Sequence, residues 1–456
     1  MTDSVSSQTV VLHLESITKR FGPLLANDAV SFDVKKGEIV ALLGENGAGK
    51  TTLMNILFGH YVADEGSISV FGKPLAPGEP SAAIEAGIGM VHQHFTLADN
   101  LTVLDNIMLG TEKLWHLSSA RSQARRRLTM LAADFGLAIE PDKTIAQLSV
   151  GERQRVEILK VLYRQARILI LDEPTAVLTP QESQSLFATL KKLTSKGLSI
   201  IFISHKLHEV LSVSDRIFVL RSGKLVAEKQ TRATTRQELA ELMVGRPIAE
   251  PRIEPQKQGD IHIEVSAVST TDGLDHADLT LHGGEILGLA GVSGNGQTAL
   301  ANLLSGLTHP TNGSLLIFGE DARAWTPDRM TRQRIARIPE DRHAEGLIAD
   351  MSVSENVIAE LYREPRFSRR GFLDWGAAEN FARDIIKGFD VKCPSPQARV
   401  RLLSGGNMQK LILGRTLSLE PRFILACQPA RGLDIGAVSY VHERLLRARK
   451  SGASVL

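Results

Sequence analysis

The stretch GEIVALLGENGAGKTTL, beginning at Gly37, returns as GEILGLAGVSGNGQTAL at Gly284, an offset of 247 residues. The same offset carries GSISVFGK at Gly66 onto GSLLIFGE at Gly313 and sets Gln93 opposite Glu340. Farther on, LSVGE at Leu148 matches LSGGN at Leu403, and LILDEPT matches ILACQPA, both at an offset of 255. Self-similarity kept in order, with one small change of spacing, means two copies of one domain. Between the copies, RPIAEPRIEPQKQGD is rich in proline and charge and has no apolar period, which reads as a linker. The expected organisation is a first domain over residues 1–250, a linker over 251–260 and a second domain over 261–456.

Two large α/β units fit the 456 residues, each with ample core. Hydrophobic residues at 43% and charged residues at 23% are globular values, so disorder is excluded as the main description. A net charge of +2 argues against general nucleic-acid binding, which needs a strong basic excess. The two cysteines, Cys393 and Cys427, form no CxxC pair, so neither a disulfide framework nor a zinc site is expected. The N-terminal MTDSVSSQTV lacks a basic-then-apolar pattern, and no apolar run approaches the roughly 18 residues of a spanning helix. The expectation is a chain that does not itself cross a membrane.

In the first copy EIVALLG is a short apolar run ending in glycine, and KTTLMNILFG has helical apolar spacing, so strand, loop and helix follow in order. ARILILDEPT and GLSIIFISH are further buried-strand candidates, and strands alternating with helical patterns imply a largely parallel sheet. Residues 96–147 change to patterns such as LTVLDNIML and ARRRLTMLAADFGL, which suggests an inserted helical subdomain.

GENGAGKT, Gly44 to Thr51, matches the phosphate-loop pattern G-x-x-x-x-G-K-[ST]. Backbone N–H groups of such a loop converge on phosphates, and glycines let the chain approach the anion closely. Lys50 then reaches the β and γ phosphates and the Thr51 hydroxyl is placed for Mg²⁺. LILDEPT puts Asp172 and Glu173 at the end of a buried strand, where Asp172 can hold the magnesium and Glu173 can orient and deprotonate water. Standing alone, such an acidic pair is more often a turn or helix cap. With an intact phosphate loop upstream it is the expected second half of a hydrolytic site.

These features, with LSVGERQR at Leu148, resemble ATP-binding cassette (ABC) ATPases over essentially the whole chain. The resemblance implies two tandem P-loop domains of α/β class, each a mainly parallel sheet core with an antiparallel β portion and a helical subdomain. It implies that Asn46, Gly47, Gly49 and Thr52 line the nucleotide loop with Gly44, Lys50 and Thr51. By the same resemblance Phe21 stacks on adenine, Gln93 in VHQHF contacts magnesium, and His205 in FISHK contacts the γ-phosphate. ATP and Mg²⁺ are the implied ligands. An isolated Phe is more often core and an isolated His more often merely hydrogen-bonded; their order along the chain favours the functional reading for Gln93 and His205 more than for Phe21.

The second copy is selectively altered. Gln297 replaces Lys50, and Cys427 and Gln428 replace Asp172 and Glu173, so magnesium-assisted hydrolysis has no obvious agents there. LSGGN, with Ser404, Gly405 and Gly406, is kept. ABC domains sandwich ATP head to tail, so the resemblance implies one competent site joining the first loop to Ser404, Gly405 and Gly406. The other site would join Gly291, Gly294, Gly296, Gln297 and Thr298 to Ser149 and Gly151, binding nucleotide at most. The alternative is a second copy retained only as a structural domain.

Tandem cassettes of this layout are similar to the ATP-binding subunits of bacterial importers for simple sugars and nucleosides. GMVHQHFTL, TVLDNIMLG, GNGQTAL and IPEDRHAEGL lean to the nucleoside branch; the sugar branch usually has arginine at the place of Gln297. The resemblance implies two integral-membrane permease subunits and an extracytoplasmic substrate-binding lipoprotein as partners. It places the chain at the cytoplasmic face of the inner membrane, without contact to the transported substrate. Arginines at 121, 125, 126 and 127 face lipid or permease, or more simply form a solvated helix face. Two other classes compete: a soluble ABC ATPase of translation or DNA repair, which would carry a long charged linker or zinc cysteines, and a non-hydrolysing nucleotide sensor, against which Glu173 and His205 count. The counterpart of His205 falls at position 460, past Leu456, so the last strand, the switch histidine and the final helices of the second domain are expected to be missing, with an exposed sheet edge and poor stability as consequences.

Overall fold

The structure, a computed structural model, describes residues 9–92, 95–111, 121–247, 253–292 and 294–456. The chain divides into two compact units, Met1–Ile248 and Ala249–Leu456.

Among the described residues of the first unit, the strands are β1 (Val10–Phe21), β2 (Leu24–Lys35), β3 (Ile39–Leu43), β4 (Glu65–Val70), β5 (Lys73–Pro74), β6 (Ile88–Val91), β7 (Ile168–Asp172), β8 (Ser199–Ser204), β9 (Arg216–Arg221) and β10 (Lys224–Gln230). The helices are α1 (Lys50–Phe58), α2 (Pro80–Glu85), α3 (Val103–Met108), α4 (Arg121–Phe135), α5 (Val150–Tyr163), α6 (Pro180–Ser195), α7 (Leu207–Val213) and α8 (Arg236–Val244). One sheet, in the order β2-β1-β4-β5, is antiparallel; the other runs β10-β9-β3-β8-β7-β6 and is parallel except at the β10–β9 edge. β3, β7 and β8 are buried along their whole lengths, which explains their uninterrupted Ile, Leu and Val runs: a strand covered on both faces has no solvent side to alternate with. Leu53, Met54 and Leu57 of α1 close one face of this core against Val40, Leu42, Ile201 and Ile203. α3 and α4 fall within the expected insertion of residues 96–147, and α5, which begins after it at Val150, packs against both.

The register decides where the chemistry sits. Leu43 of β3 pairs with Ser204 of β8, and Asp172 of β7 pairs with Ile203. The carboxyl ends of three adjacent strands therefore finish level, and the loop at Gly44, the pair Asp172 and Glu173, and His205 all leave from one edge. In an open parallel sheet that edge is where ligands are bound.

The second unit repeats the plan with β11 (Ile261–Ser269), β12 (Ala277–His282), β13 (Asn312–Ile317) and β14 (Glu320–Asp321) in an antiparallel sheet. β15 (Ile335–Ile338), a hairpin of β16 (Ser368–Arg369) and β17 (Phe372–Leu373), β18 (Phe423–Ala426) and β19 (Ser454–Val455) follow. Its helices are α9 (Gln297–Leu304), α10 (Pro327–Arg332), α11 (Val353–Ile358), α12 (Trp375–Gly388), α13 (Gly405–Leu417) and α14 (Ile435–Lys450). The described part of the expected linker lies on this unit: the Arg449 guanidinium donates to the Glu254 carbonyl at 2.7 Å.

Of the expected last strand a short piece is present: β19, two residues where the equivalent β8 has six, pairs in parallel with β18, and Leu287 and Ala426 donate backbone N–H groups to the Val455 and Leu456 carbonyls. The N–H groups of Ser454, Val455 and Leu456 donate in turn to the Arg422, Glu285 and Ile424 carbonyls, so the short segment is itself paired on both sides. The segment after Ile286 forms no strand of its own, and Leu289 is 53% exposed.

Candidate nucleotide site

The phosphate loop of the first unit is built by a strand that stops and a helix that starts. Gly44 is buried, and a Cβ there would stand 2.4 Å from the Leu220 carbonyl oxygen. Gly49, at φ +99°, caps α1 and would push a Cβ to 2.3 Å from the Ala26 oxygen. Asn46 and Gly47 are exposed at the tip, and Thr51 is exposed at the first turn of α1, beside the half-buried Thr52. Lys50 is buried; its ammonium donates to the Gly44 and Glu45 carbonyls at 2.6 and 2.9 Å, bent across the mouth of the loop. The cation thus already lies where the loop's N–H groups gather an anion, at the positive end of a helix.

Across from it, Glu173 adopts a left-handed backbone, φ +47°, and its N–H donates to the Ile203 carbonyl at 3.0 Å. The Glu173 carboxylate meets His205 Nδ1 at 2.8 Å. Burial alone would raise the Glu173 carboxyl, but the hydrogen bond and charge of His205, with Lys50 and Lys206, bring it below its ordinary value. Asp172 goes the other way: burial first, then the Glu173 charge, push it up to about 6 against the pull of Lys50. Two adjacent carboxylates are therefore held at different proton affinities, the arrangement that separates a base from a cation ligand. A buried carboxylate raised by its neighbour is one that a divalent cation would stabilise, so Asp172 with the Thr51 hydroxyl fits the donor set of Mg²⁺.

Phe21 ends β1, 41% exposed, with its ring edge-on to Tyr61 and Lys19 Nζ 5.5 Å from its centroid. It is an accessible aromatic face rather than core. Gln93 lies outside the described residues. Three of the four arginines on α4 are bonded within the unit, Arg121 to Asp105, Arg125 to Asp142, and Arg127 to the Tyr163 carbonyl at 2.7 Å, while Arg126 is exposed.

Ser149 and Ser404 each cap the helix that follows, accepting from the N–H of Glu152 and Asn407 respectively. Gly151 is buried; Gly405 and Gly406 are half-buried at the start of α13. In the second unit the loop differs in more than charge. Gln297 folds its amide back, donating to the Val292 carbonyl at 3.0 Å and accepting from the Asn295 N–H at 3.1 Å. Gly291, Gly294 and Thr298 are exposed and Gly296, at φ +91°, caps α9. Cys427 is half-buried and burial raises its thiol; Gln428 keeps a left-handed backbone, φ +45°, without the acid.

Three supports escaped sequence reasoning. Asn27 is fully buried and donates to the Gly49 carbonyl at 3.1 Å, bracing the loop from β2. Glu209 is buried on α7 and accepts from the Thr175 and Ser204 hydroxyls, tying the turn after Glu173 to the one before His205. Lys206 donates to the Thr175 carbonyl at 3.1 Å. A glutamate on the apolar face of LHEVLSV was the one available signal; Asn27 and Lys206 carried none.

The model of the ABC transporter family matches residues 27–176 and 274–431. The chain is 44% identical over 461 residues to the nucleoside import ATP-binding protein NupA of Lactococcus lactis subsp. cremoris, covering 99% of this chain and 90% of that protein. It is 42% identical over 452 residues to the guanosine import ATP-binding protein NupO of Bacillus subtilis, covering 98% and 89%. With a ribose import ATP-binding protein, RbsA 2 of Rubrobacter xylanophilus, identity is 36% over 450 residues, covering 98% and 86%. Two matched cassettes, the paired loops and this identity along nearly the full length lead to one conclusion: the chain belongs to the ABC transporter family, as a tandem-cassette ATP-binding member.

Proposed function

We propose that this chain is the ATP-hydrolysing subunit of an importer for nucleosides, with a single hydrolytic centre. The carrying observation is the Glu173 and His205 pair at 2.8 Å beside Asp172, with no counterpart at Cys427 and Gln428. Lys50 and the loop N–H groups of 44–51 bind the phosphates, and Glu173 takes the proton of the attacking water while His205 orients it. Thr51 and Asp172, with Gln93, would hold Mg²⁺, which would supply charge neutralisation for the phosphates. Ser404, Gly405 and Gly406 complete this site from the second cassette. Gly291, Gly294, Gly296, Gln297 and Thr298, with Ser149 and Gly151, make a site without turnover.

The same reading gives two permease subunits and an extracytoplasmic lipoprotein as partners and puts the chain at the inner face of the membrane; among the described residues no helix is long and apolar enough to span it. Nucleoside import follows the relatives at 44% and 42% identity; import of simple sugars is the second reading, supported by the 36% ribose relative. Reconstitution with its permeases and measurement of ATP turnover against added guanosine, adenosine or ribose tests it. Stimulation by ribose but not by nucleosides would overturn the cargo, and turnover unaffected by Glu173→Gln would overturn the site.

A further inference from the structure

The two signature turns are lined by different charged side chains. In the first unit a Cβ on Gly151 would stand 2.6 Å from a Glu182 carboxylate oxygen, and Glu152 sits in the turn itself, bonded to the Ser149 N–H at 2.8 Å. Hydrogen bonds from Thr179 and Ser149 hold these two carboxyls below their ordinary values, so both are ionised at neutral pH. Lys143 Nζ, 3.7 Å from Glu152, and Arg155, whose charge acts on both carboxylates, offset part of this charge. In the second unit the equivalents at an offset of 255 are Asn407 and Ala437, and neither is charged.

At the second turn a cation stands directly against the glycine. The Arg342 guanidinium reaches Gly405, where a Cβ would meet it at 3.0 Å, and Gly432, where the distance would be 3.3 Å. Its Nη1 donates to the Arg431 carbonyl at 3.2 Å. Arg342 is half-buried and is in no salt bridge among the described residues. Asp341 beside it spends its carboxylate on the N–H groups of His343 and Ala344, at 2.8 and 3.0 Å. Burial lowers the Arg342 guanidinium from its ordinary value, Asp341 opposes that and Arg431 adds to it, so an anion would relieve a partly desolvated charge. The first unit has Phe95 at the corresponding place, an offset of 247.

We infer that Arg342 is a positioning residue of the ATPase reaction: wedged between Gly405 and Gly432, it holds the second signature turn and gives it the positive charge that a triphosphate requires. Glu152 and Glu182 set the first signature turn against the same ligand. The asymmetry of the phosphate loops is thereby matched by an asymmetry of the signatures. The inference rests on the proposal that Ser404, Gly405 and Gly406 serve the nucleotide held by Lys50.

The test uses the full chain, with KM for ATP, kcat and the thermal midpoint measured for Arg342→Met, Arg342→Lys, Ala437→Glu and Ser404→Ala. Arg342→Met should raise KM about tenfold, the effect of one charge-assisted contact, and Arg342→Lys should return it to within about threefold of the parent. Ala437→Glu should also raise KM. Added salt should weaken ATP binding more steeply in the parent than in Arg342→Met, a difference that packing alone would not produce. Equal losses in the Met and Lys variants, or an unchanged KM in Arg342→Met, would overturn the inference. If Ser404→Ala impairs turnover while Arg342→Met does not, only the role of Arg342 falls; if Ser404→Ala is also silent, the shared site falls and the role of Arg342 with it.

Discussion

His205 Nδ1 stands 2.8 Å from Glu173 Oε1, joining the turn after β8 to the turn after β7. The contact explains how a half-buried glutamate remains ionised: burial raises its carboxyl, and His205 more than reverses that together with Lys50 and Lys206. In His205→Ala the Glu173 proton affinity should rise, because the largest lowering influence is gone. A base must be deprotonated to act, so the acid limb of the kcat profile should move to higher pH, with kcat at neutral pH down by about tenfold to a hundredfold. Profiles of the parent and variant that superimpose would show that His205 does not act through Glu173.

The two acid positions share a backbone but not a chemistry. Glu173 has φ +47° and Gln428 φ +45°, a conformation uncommon for side-chain-bearing residues. Glu173→Gln should lower kcat by about a hundredfold or more while ATP still binds, the usual scale for loss of a general base. Gln428→Ala should change turnover by less than about twofold. Similar losses from both substitutions, read by phosphate release, would refute a single hydrolytic centre.

Asp172 brings a pH dependence of its own. Its folded value of about 6 lies above the ordinary 3.8, so the free protein binds this proton more tightly than the unfolded chain and is relatively favoured as pH falls through 6. Magnesium must displace that proton, so Mg·ATP affinity should fall below pH 6, by about tenfold per unit well under it. ATP titrates nearby as well, and Asp172→Asn separates the two: its affinity should be low at neutral pH and should lack the protein's share of the pH dependence. The same slope in parent and variant, measured by calorimetry between pH 5 and 8, would remove Asp172 from the cation site.

Much of this was legible because the chain writes its plan twice. The offsets 247 and 255 identify the loop, the signature and the acidic pair before any coordinates, and the buried strands β3, β7 and β8 announce themselves by unbroken apolar runs. What the pattern could not carry was side-chain direction. Gln297 reads as the loss of a lysine, whereas the structure shows its amide tied to Val292 and Asn295 within the loop. Arg342 passed as part of IPEDRHAEGL, a branch marker, since its neighbours Gly405 and Gly432 are 63 and 90 positions away in sequence. The pairing of Ser454, Val455 and Leu456 with the segments on either side was not legible because so short a run has no periodicity to read.

Gly49 and Gly296 offer a matched comparison of fit against strain. Both cap their helices in the left-handed region, at φ +99° and +91°, so alanine at either costs about 1–2 kcal/mol in backbone strain. Their surroundings differ: a Cβ on Gly49 would be 2.3 Å from the Ala26 oxygen and 2.7 Å from Asn27 Nδ2, whereas on Gly296 the nearest atom, Leu274 Cδ2, is 3.4 Å away. The first clash is with backbone and with a buried side chain that braces the loop, so the loop itself must shift; the second is ordinary contact with a movable methyl. Gly49→Ala should therefore abolish tight ATP binding and lower the melting midpoint of the first unit by several degrees more than Gly296→Ala lowers that of the second, at about 2–4 °C per kcal/mol for units of this size. Gly296→Ala should leave turnover within about twofold of the parent. Equal midpoint shifts in the two variants would mean that the left-handed backbone, not the packing of β2 against the loop, dictates glycine at both positions.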